Sequence, residues 1–161
     1  MKRILVIGCP GSGKSTLARA LHSKTDIPLF HLDMLYWNED KTTVPKELFL
    51  ERLSRVLSTE AWILDGNFSS TMEQRMQVAD TVFFLDYPVE LCLQSVRERR
   101  GKPRSDIPWI ETEEDPEFME FIASFRLQRR PQILTLLEKY SQKSIHIFTD
   151  RREAEQFLQR L

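Results

Sequence analysis

Residues 8 to 15, Gly8-Cys9-Pro10-Gly11-Ser12-Gly13-Lys14-Ser15, match the pattern GxxxxGK[ST] at each of its fixed positions. Glycines at these spacings let the backbone curl until its N–H groups converge on an anion. A helix starting directly behind them adds partial positive charge at the same point. Lys14 can reach the β- and γ-phosphates of a nucleoside triphosphate, and the Ser15 hydroxyl can ligate Mg2+. Gly8, Pro10, Gly11, Ser12, Gly13, Lys14, Ser15 and Thr16 are therefore the candidate nucleotide-binding residues, with ATP and Mg2+ as the implied cofactors. Cys9 fills a variable position of this loop and reads as filler more readily than as a perturbed thiol.

Moving a phosphoryl group also needs a metal ligand, neutralising cations and an acceptor placed in line. Asp65 ends an apolar run and has the form of a metal-holding strand-end acid. Asp86 ends another such run and competes for the role, and either could instead cap the helix that follows. Gly66, which would let the backbone pass close to a ligand, and Asn67 favour Asp65. Asp33 could orient an acceptor hydroxyl and take its proton; if the acceptor were already a phosphate, no base would be needed and Asp33 would instead bind metal-bound water or a sugar hydroxyl. His31 shares its strand face and reads first as a packed core residue. Tyr36 and Trp37 could stack an acceptor ring, or simply pack. Arg97, Arg99, Arg100, Lys102 and Arg104 form a dense basic cluster running into a Gly- and Pro-containing stretch, as a mobile lid would. Arg126, Arg129 and Arg130 form a second group. Arg75, in the helix after Asp65-Gly66, is a candidate clamp for an acceptor phosphate or a plain surface arginine.

The elements that must position these residues alternate. Lys2–Ile7, Pro28–Asp33, Ala61–Gly66, Thr81–Asp86 and Ser144–Phe148 read as strands. Helical spacing predicts helices after Gly13, over 46–58, 69–78, 88–100, 117–130 and 151–161, with Pro131 kinking or restarting the last-but-one before Ile133–Tyr140. Met34 to Thr43 reads as a loop. Strands alternating with helices predict a parallel sheet covered on both faces, with ligands outside the strands' carboxyl ends. Ser15, Asp33, Asp65 and Asp86 would all lie along that edge.

The bulk properties exclude several classes. The chain has 161 residues, 41% hydrophobic and 29% charged, which suits one globular domain with a real core. A net charge of −1 argues against general nucleic-acid binding. No apolar run could span a bilayer, and the first strand starts at once, leaving no room for a leader peptide. Cys9 and Cys92 are the only cysteines, which fits a reducing cytoplasm.

Gly8 to Thr16, Asp65-Gly66, the stretch Ala79 to Pro88 and Arg97 to Arg100 together resemble the adenylate-kinase-like family of nucleoside monophosphate kinases, in order and over most of the chain. His31-Leu32-Asp33-Met34-Leu35-Tyr36-Trp37 with Asp65-Gly66-Asn67-Phe68 is similar more closely to the bacterial FlaR-like DNA topology modulation proteins, whose label implies an effect on DNA supercoiling. The resemblance implies ATP phosphates on Gly11 to Thr16, an acceptor facing Asp33 and an acceptor phosphate met by Arg75. It also implies lid roles for Arg99, Arg100 and Arg104 and a post-lid role for Arg126 or Arg130. Adenylate kinases follow Asp-Gly with a residue, Pro and Arg, where this chain has Asn67-Phe68. The acceptor segment and lid are short, and the lid has no zinc-binding cysteines. Shikimate- and gluconate-kinase relatives carry a strand-end acid too, which leaves a hydroxyl acceptor open.

These readings converge on a three-layer α/β/α P-loop NTPase fold with a five-stranded parallel sheet, an acceptor-binding insertion over 34–60 and a lid over 100–116. The expected chemistry is Mg2+-dependent transfer from ATP to a small acceptor, a nucleotide or nucleoside first. An ATP-binding regulator linked to DNA topology is the main alternative. A GTPase is less favoured because no Asn-Lys-x-Asp guanine signature is present.

Overall fold

The computed structural model describes all 161 residues. Five strands, β1 (Arg3–Gly8), β2 (Leu29–His31), β3 (Trp62–Asp65), β4 (Thr81–Leu85) and β5 (Ser144–Phe148), pair in the order β2-β3-β1-β4-β5. Every pairing is parallel. Ile4 to Ile7, Trp62 to Leu64 and Val82 to Phe84 are wholly buried, as continuous apolar strands in a sheet covered on both faces must be. From β1 the chain steps one way to β2, and from β3 it steps the other way to β4. Right-handed crossovers therefore place α1 (Lys14–Thr25) and α4 (Ser69–Val78) on opposite faces. The order reverses around β1, so the crevice for ligands opens at the carboxyl end of that strand.

The remaining helices are α2 (Leu32–Tyr36), α3 (Lys46–Leu57), α5 (Val89–Arg99), α6 (Pro116–Ala123), α7 (Phe125–Gln128), α8 (Arg130–Lys139) and α9 (Arg151–Arg160). Two expected boundaries are corrected. The second strand stops at His31, and Leu32 begins the short α2, so Asp33 stands in a helical first turn rather than at a strand end. Leu32 is fully buried and packs against Gly66, a contact that an extended chain would carry past the sheet. The helix expected over 117–130 breaks at Ser124, whose hydroxyl bonds back to the Glu120 carbonyl at 2.9 Å. Pro131 then sits in the first turn of α8, where its missing N–H costs no hydrogen bond. Residues 100–115 carry no helix or strand and hang between α5 and α6.

Gly66 follows Asp65 with φ +133°, and a β-carbon there would lie 2.8 Å from two carbons of Leu32. The close approach on that side is to a core side chain, while Gly66 also lines the cleft beside Asp65 and Asn67. Gly66→Ala should cost roughly 2–4 kcal/mol by combining backbone strain with overpacking. A urea denaturation midpoint unchanged from wild type would contradict this.

Candidate active site

The phosphate loop is built by glycine conformations that other residues avoid. Gly11 and Gly13 have φ +83° and +96°. A β-carbon on Gly11 would sit 2.3 Å from the Cys92 carbonyl oxygen, so the loop lies directly on α5. The loop closes on itself through the Ser12 N–H, which donates to the Cys9 carbonyl at 3.0 Å. Gly13 caps α1 without any side-chain hydrogen bond, leaving the first amides of that helix for an outside acceptor. The Ser12 hydroxyl is buried without a partner. Pro10, Gly11, Gly13, Lys14, Ser15 and Thr16 line a cleft of about 1360 Å3, while Gly8 and Ser12 lie beneath it. That volume exceeds the roughly 300–1,000 Å3 of an ordinary single-ligand site and leaves room for a nucleotide and an acceptor together.

Lys14 makes one hydrogen bond, to the Cys9 carbonyl at 3.3 Å. Burial pulls its ammonium below the usual lysine value, although Asp65, Cys9 and Asp33 oppose this. An incoming phosphate would supply the counter-charge that no carboxylate here supplies directly. Asp33 and Asp65 both line the same cleft. Burial pushes Asp33 up to about 6, with Lys14 pulling the other way and the Asp65 carboxylate adding to the rise. Asp65 accepts from the His31 ring at 2.7 Å. No group of three or more His, Cys, Asp or Glu side chains converges to cage an ion. Ser15 and Asp65 instead offer one hydroxyl and one carboxylate from the same cleft, the hard-oxygen set Mg2+ accepts when phosphates and water complete its shell. The donors fit that ion.

Asp86 has no such position. Arg130 holds both its oxygens, with Nε 2.9 Å from Oδ1 and Nη2 2.9 Å from Oδ2, and Arg126 approaches to 3.7 Å. This pairing ties α8 to the end of β4, and none of Asp86, Arg126 and Arg130 lines the cleft. Arg126 and Arg130, expected in a post-lid role, are thus placed on Asp86 and not on the cleft wall. The cleft-facing arginine of that group is Arg129, whose Nη1 donates to the Ser69 hydroxyl at 3.3 Å and whose guanidinium lies over Phe121. Sequence spacing could have found it only with α7 and α8 recognised as separate helices.

Arg75 is likewise corrected. It is completely buried, and its donors reach the Thr71 hydroxyl at 3.1 Å and the carbonyls of Gly66 at 2.9 Å, Phe68 at 3.1 Å and Asn67. It clamps the turn after β3 rather than a ligand. That turn needs a clamp, because Phe68 has φ +36°, a strained value for a bulky side chain. Asn67 lines the cleft but also spends its amide on Gly8, donating to the carbonyl at 2.6 Å and accepting from the N–H at 3.1 Å.

The lid residues Arg99, Arg100 and Arg104 all reach the cleft. Arg104 grips Asp106 side-on at 3.0 and 2.7 Å, and Glu111 stands 3.2 Å away. Burial works to lower Arg104, but these carboxylates outweigh it and hold the guanidinium above its usual value. Arg99 Nε and Arg104 Nη1 are buried and make no well-aligned hydrogen bond; both face the Glu111 carboxylate, at 3.9 and 3.2 Å. Glu111 pairs with Arg99 and Arg104, and Glu114 with Arg97 and Arg100. Trp37 lines the cleft and meets the lid's Trp109 edge-on at 5.4 Å. Tyr36 does not line it; its ring packs among Trp37, Phe49 and Phe68. Arg19, Asp106 and Arg151 also line the cleft and carried no sequence signal beyond their charge.

No protein-family model matches the chain. An adenylate kinase from Wigglesworthia glossinidia brevipalpis is 29% identical over 107 residues, covering 57% of this chain. The match spans 50% of that kinase's own length. A shikimate kinase structure from Bacteroides thetaiotaomicron superposes over 99% of this chain and 95% of its own, with TM-score 0.58 and 25% identity. A second, from Acinetobacter baumannii in complex with shikimate, superposes over 99% and 90% with TM-score 0.65 at 19% identity. The chain has the P-loop kinase fold. Kinase is the enzyme class to which all three relatives belong, and they differ in acceptor. No helix is long and apolar enough to cross a membrane.

If Arg75 is the turn's clamp, Arg75→Ala should destabilise the protein by roughly 2–4 kcal/mol, since three part-buried carbonyls lose their donor and a large buried side chain is removed. Chemical denaturation measures this. A variant as stable as wild type that loses only acceptor affinity would restore the acceptor-clamp role.

Proposed function

We propose that the protein is an ATP- and Mg2+-dependent phosphotransferase that moves a γ-phosphoryl group onto a small acceptor. One observation carries the reading: the glycine loop, the under-neutralised Lys14, the acids Asp33 and Asp65 and the lid arginines open into a single cleft. Loop amides and Lys14 would hold the β- and γ-phosphates. Ser15 and Asp65 would hold the metal, which when bound supplies charge neutralisation on the transferring group. Arg99, Arg100 and Arg104, brought by the lid, would neutralise charge that builds in the transition state and exclude water.

Two observations favour a hydroxyl acceptor over a phosphate one. Asp33 holds its proton to about pH 6, which poises it to accept a hydroxyl proton near neutrality. Arg75, the arginine matched to an acceptor phosphate, is buried behind the turn. Arg129 and Lys41 also line the cleft, cations suited to an anionic hydroxy compound, the class to which the shikimate bound by the Acinetobacter enzyme belongs. Nucleosides are the competing hydroxyl acceptors, and Trp37 with Trp109 would suit a flat ring. A role on DNA is less supported, because the net charge is −1 and the arginine-rich lid is laced with acids.

An ADP-release screen over nucleoside monophosphates, nucleosides and small hydroxy acids tests the reading. At least one acceptor should accelerate release by wild type, and Lys14→Ala should lose ~10^2–10^3-fold of that rate while remaining folded. Equal ATP consumption by both proteins across the panel would contradict the proposal.

The pH dependence follows from Asp33. Its carboxylate is the active form, so kcat/KM should fall tenfold per unit below about pH 6, and Asp33→Asn should remove transfer. The stability effect has the opposite sense. The unfolded carboxyl releases its proton near 3.8 and the folded one near 6, so the folded state binds more protons between those values. Stability attributable to this group therefore falls as pH rises through that window. Asp33→Asn should raise Tm at pH 7, and a lower Tm would contradict the account.

A further inference from the structure

His31 is absent from the cleft wall, yet it is bound to a residue that forms it. Parallel pairing of β2 with β3 sets His31 directly opposite Asp65 in register. Adjacent strands in register bring their side chains on one face together, and the His31 Nδ1 to Asp65 Oδ2 distance is 2.7 Å. Both side chains are nearly shut off from solvent, at 10% and 7% exposure. A carboxylate can only accept, so Nδ1 carries the hydrogen and donates it. This bond fixes one oxygen of Asp65 and the plane of its carboxyl group, and no protein donor engages the other oxygen.

Resting on the reading of Asp65 as the metal-holding acid, we propose that His31 is a positioning residue that orients the Asp65 carboxylate toward the metal–nucleotide complex. A packed core histidine needs no partner on the site acid, whereas ligating carboxylates are commonly held by just such an outer hydrogen bond. The geometry sets which substitutions should spare the function. In asparagine the side-chain nitrogen is as many bonds from Cα as Nδ1 is, so His31→Asn keeps a donor at the same reach. In glutamine the nitrogen is one bond further out, and in leucine there is no donor.

Calorimetric titration of ADP, in EDTA and across a series of MgCl2 concentrations, reads the effect without turnover. In EDTA all variants should bind ADP as wild type does, because the His31 side chain hydrogen-bonds to Asp65 and to no loop residue. His31→Asn should also keep the wild-type Mg2+ requirement. His31→Leu and His31→Gln should need about 10–100-fold more Mg2+ for the same gain in ADP affinity. The two variants back each other, since glutamine keeps a polar group at the site if leucine unfolds it; thermal melting confirms folding. A folded His31→Leu or His31→Gln with the wild-type Mg2+ requirement would overturn the positioning role. So would a His31→Asn that behaves like His31→Leu. If wild type itself binds no ADP, the nucleotide reading fails as well, an outcome distinct from wild-type binding that His31 does not influence.

Discussion

A lysine ammonium held largely out of water is the constraint on which the site turns. Lys14 follows a left-handed glycine and is fixed at the start of α1, part-buried in the cleft wall with no carboxylate at bonding distance. Removing charge from water is costly unless it is paired and hydrogen-bonded. Here the compensation within the protein is one carbonyl at 3.3 Å and the longer-range fields of Asp65 and Asp33. The same cleft gathers uncapped helix amides and the guanidinium groups of Arg99, Arg100 and Arg104, which rest against Asp106, Glu111 and Glu114. Such an arrangement stores unfavourable electrostatics that a polyanion with a bound cation would relieve.

Keeping the loop in that state requires the turn beside it to stay in place. Arg75 gathers the carbonyls of Gly66, Asn67 and Phe68 and so holds Phe68 in its left-handed conformation. Asn67, fixed by that turn, bonds both backbone groups of Gly8, the last residue of β1 before the loop. A buried arginine in α4 is thereby connected through two residues' hydrogen bonds, Arg75 to Asn67 and Asn67 to Gly8, to the phosphate loop. Burial lowers Arg75 from the usual arginine value, and the carbonyls it binds are what make that burial tolerable. The residue matched by resemblance to substrate binding serves the scaffold instead.

The parts legible in the sequence are those set by local rules. Glycine spacing announced the loop, unbroken apolar runs announced the buried strands, and Pro131 announced a helix restart. What escaped was set by tertiary pairing. Local neighbours, Gly66 and Asn67, favoured Asp65 over Asp86, but the partner that occupies Asp86, Arg130, lies 44 positions away in sequence. The choice among Arg126, Arg129 and Arg130 depends on the rotation of α8 after the break at Ser124. His31 read as core because the register that places it on Asp65 belongs to two strands 34 positions apart. Helix α2 was missed because five residues offer too little periodicity to signal a helix.

The account's central claim is that the loop, Lys14 and the lid act as one anion receptor. Hydrogen–deuterium exchange with and without ATP and Mg2+ examines all three parts at once. The account predicts slowed exchange both at the amides of residues 11–16 and in the lid segment 100–115, with the strands of the sheet unchanged. Exchange in those two segments that is identical with and without saturating ATP and Mg2+ would contradict it.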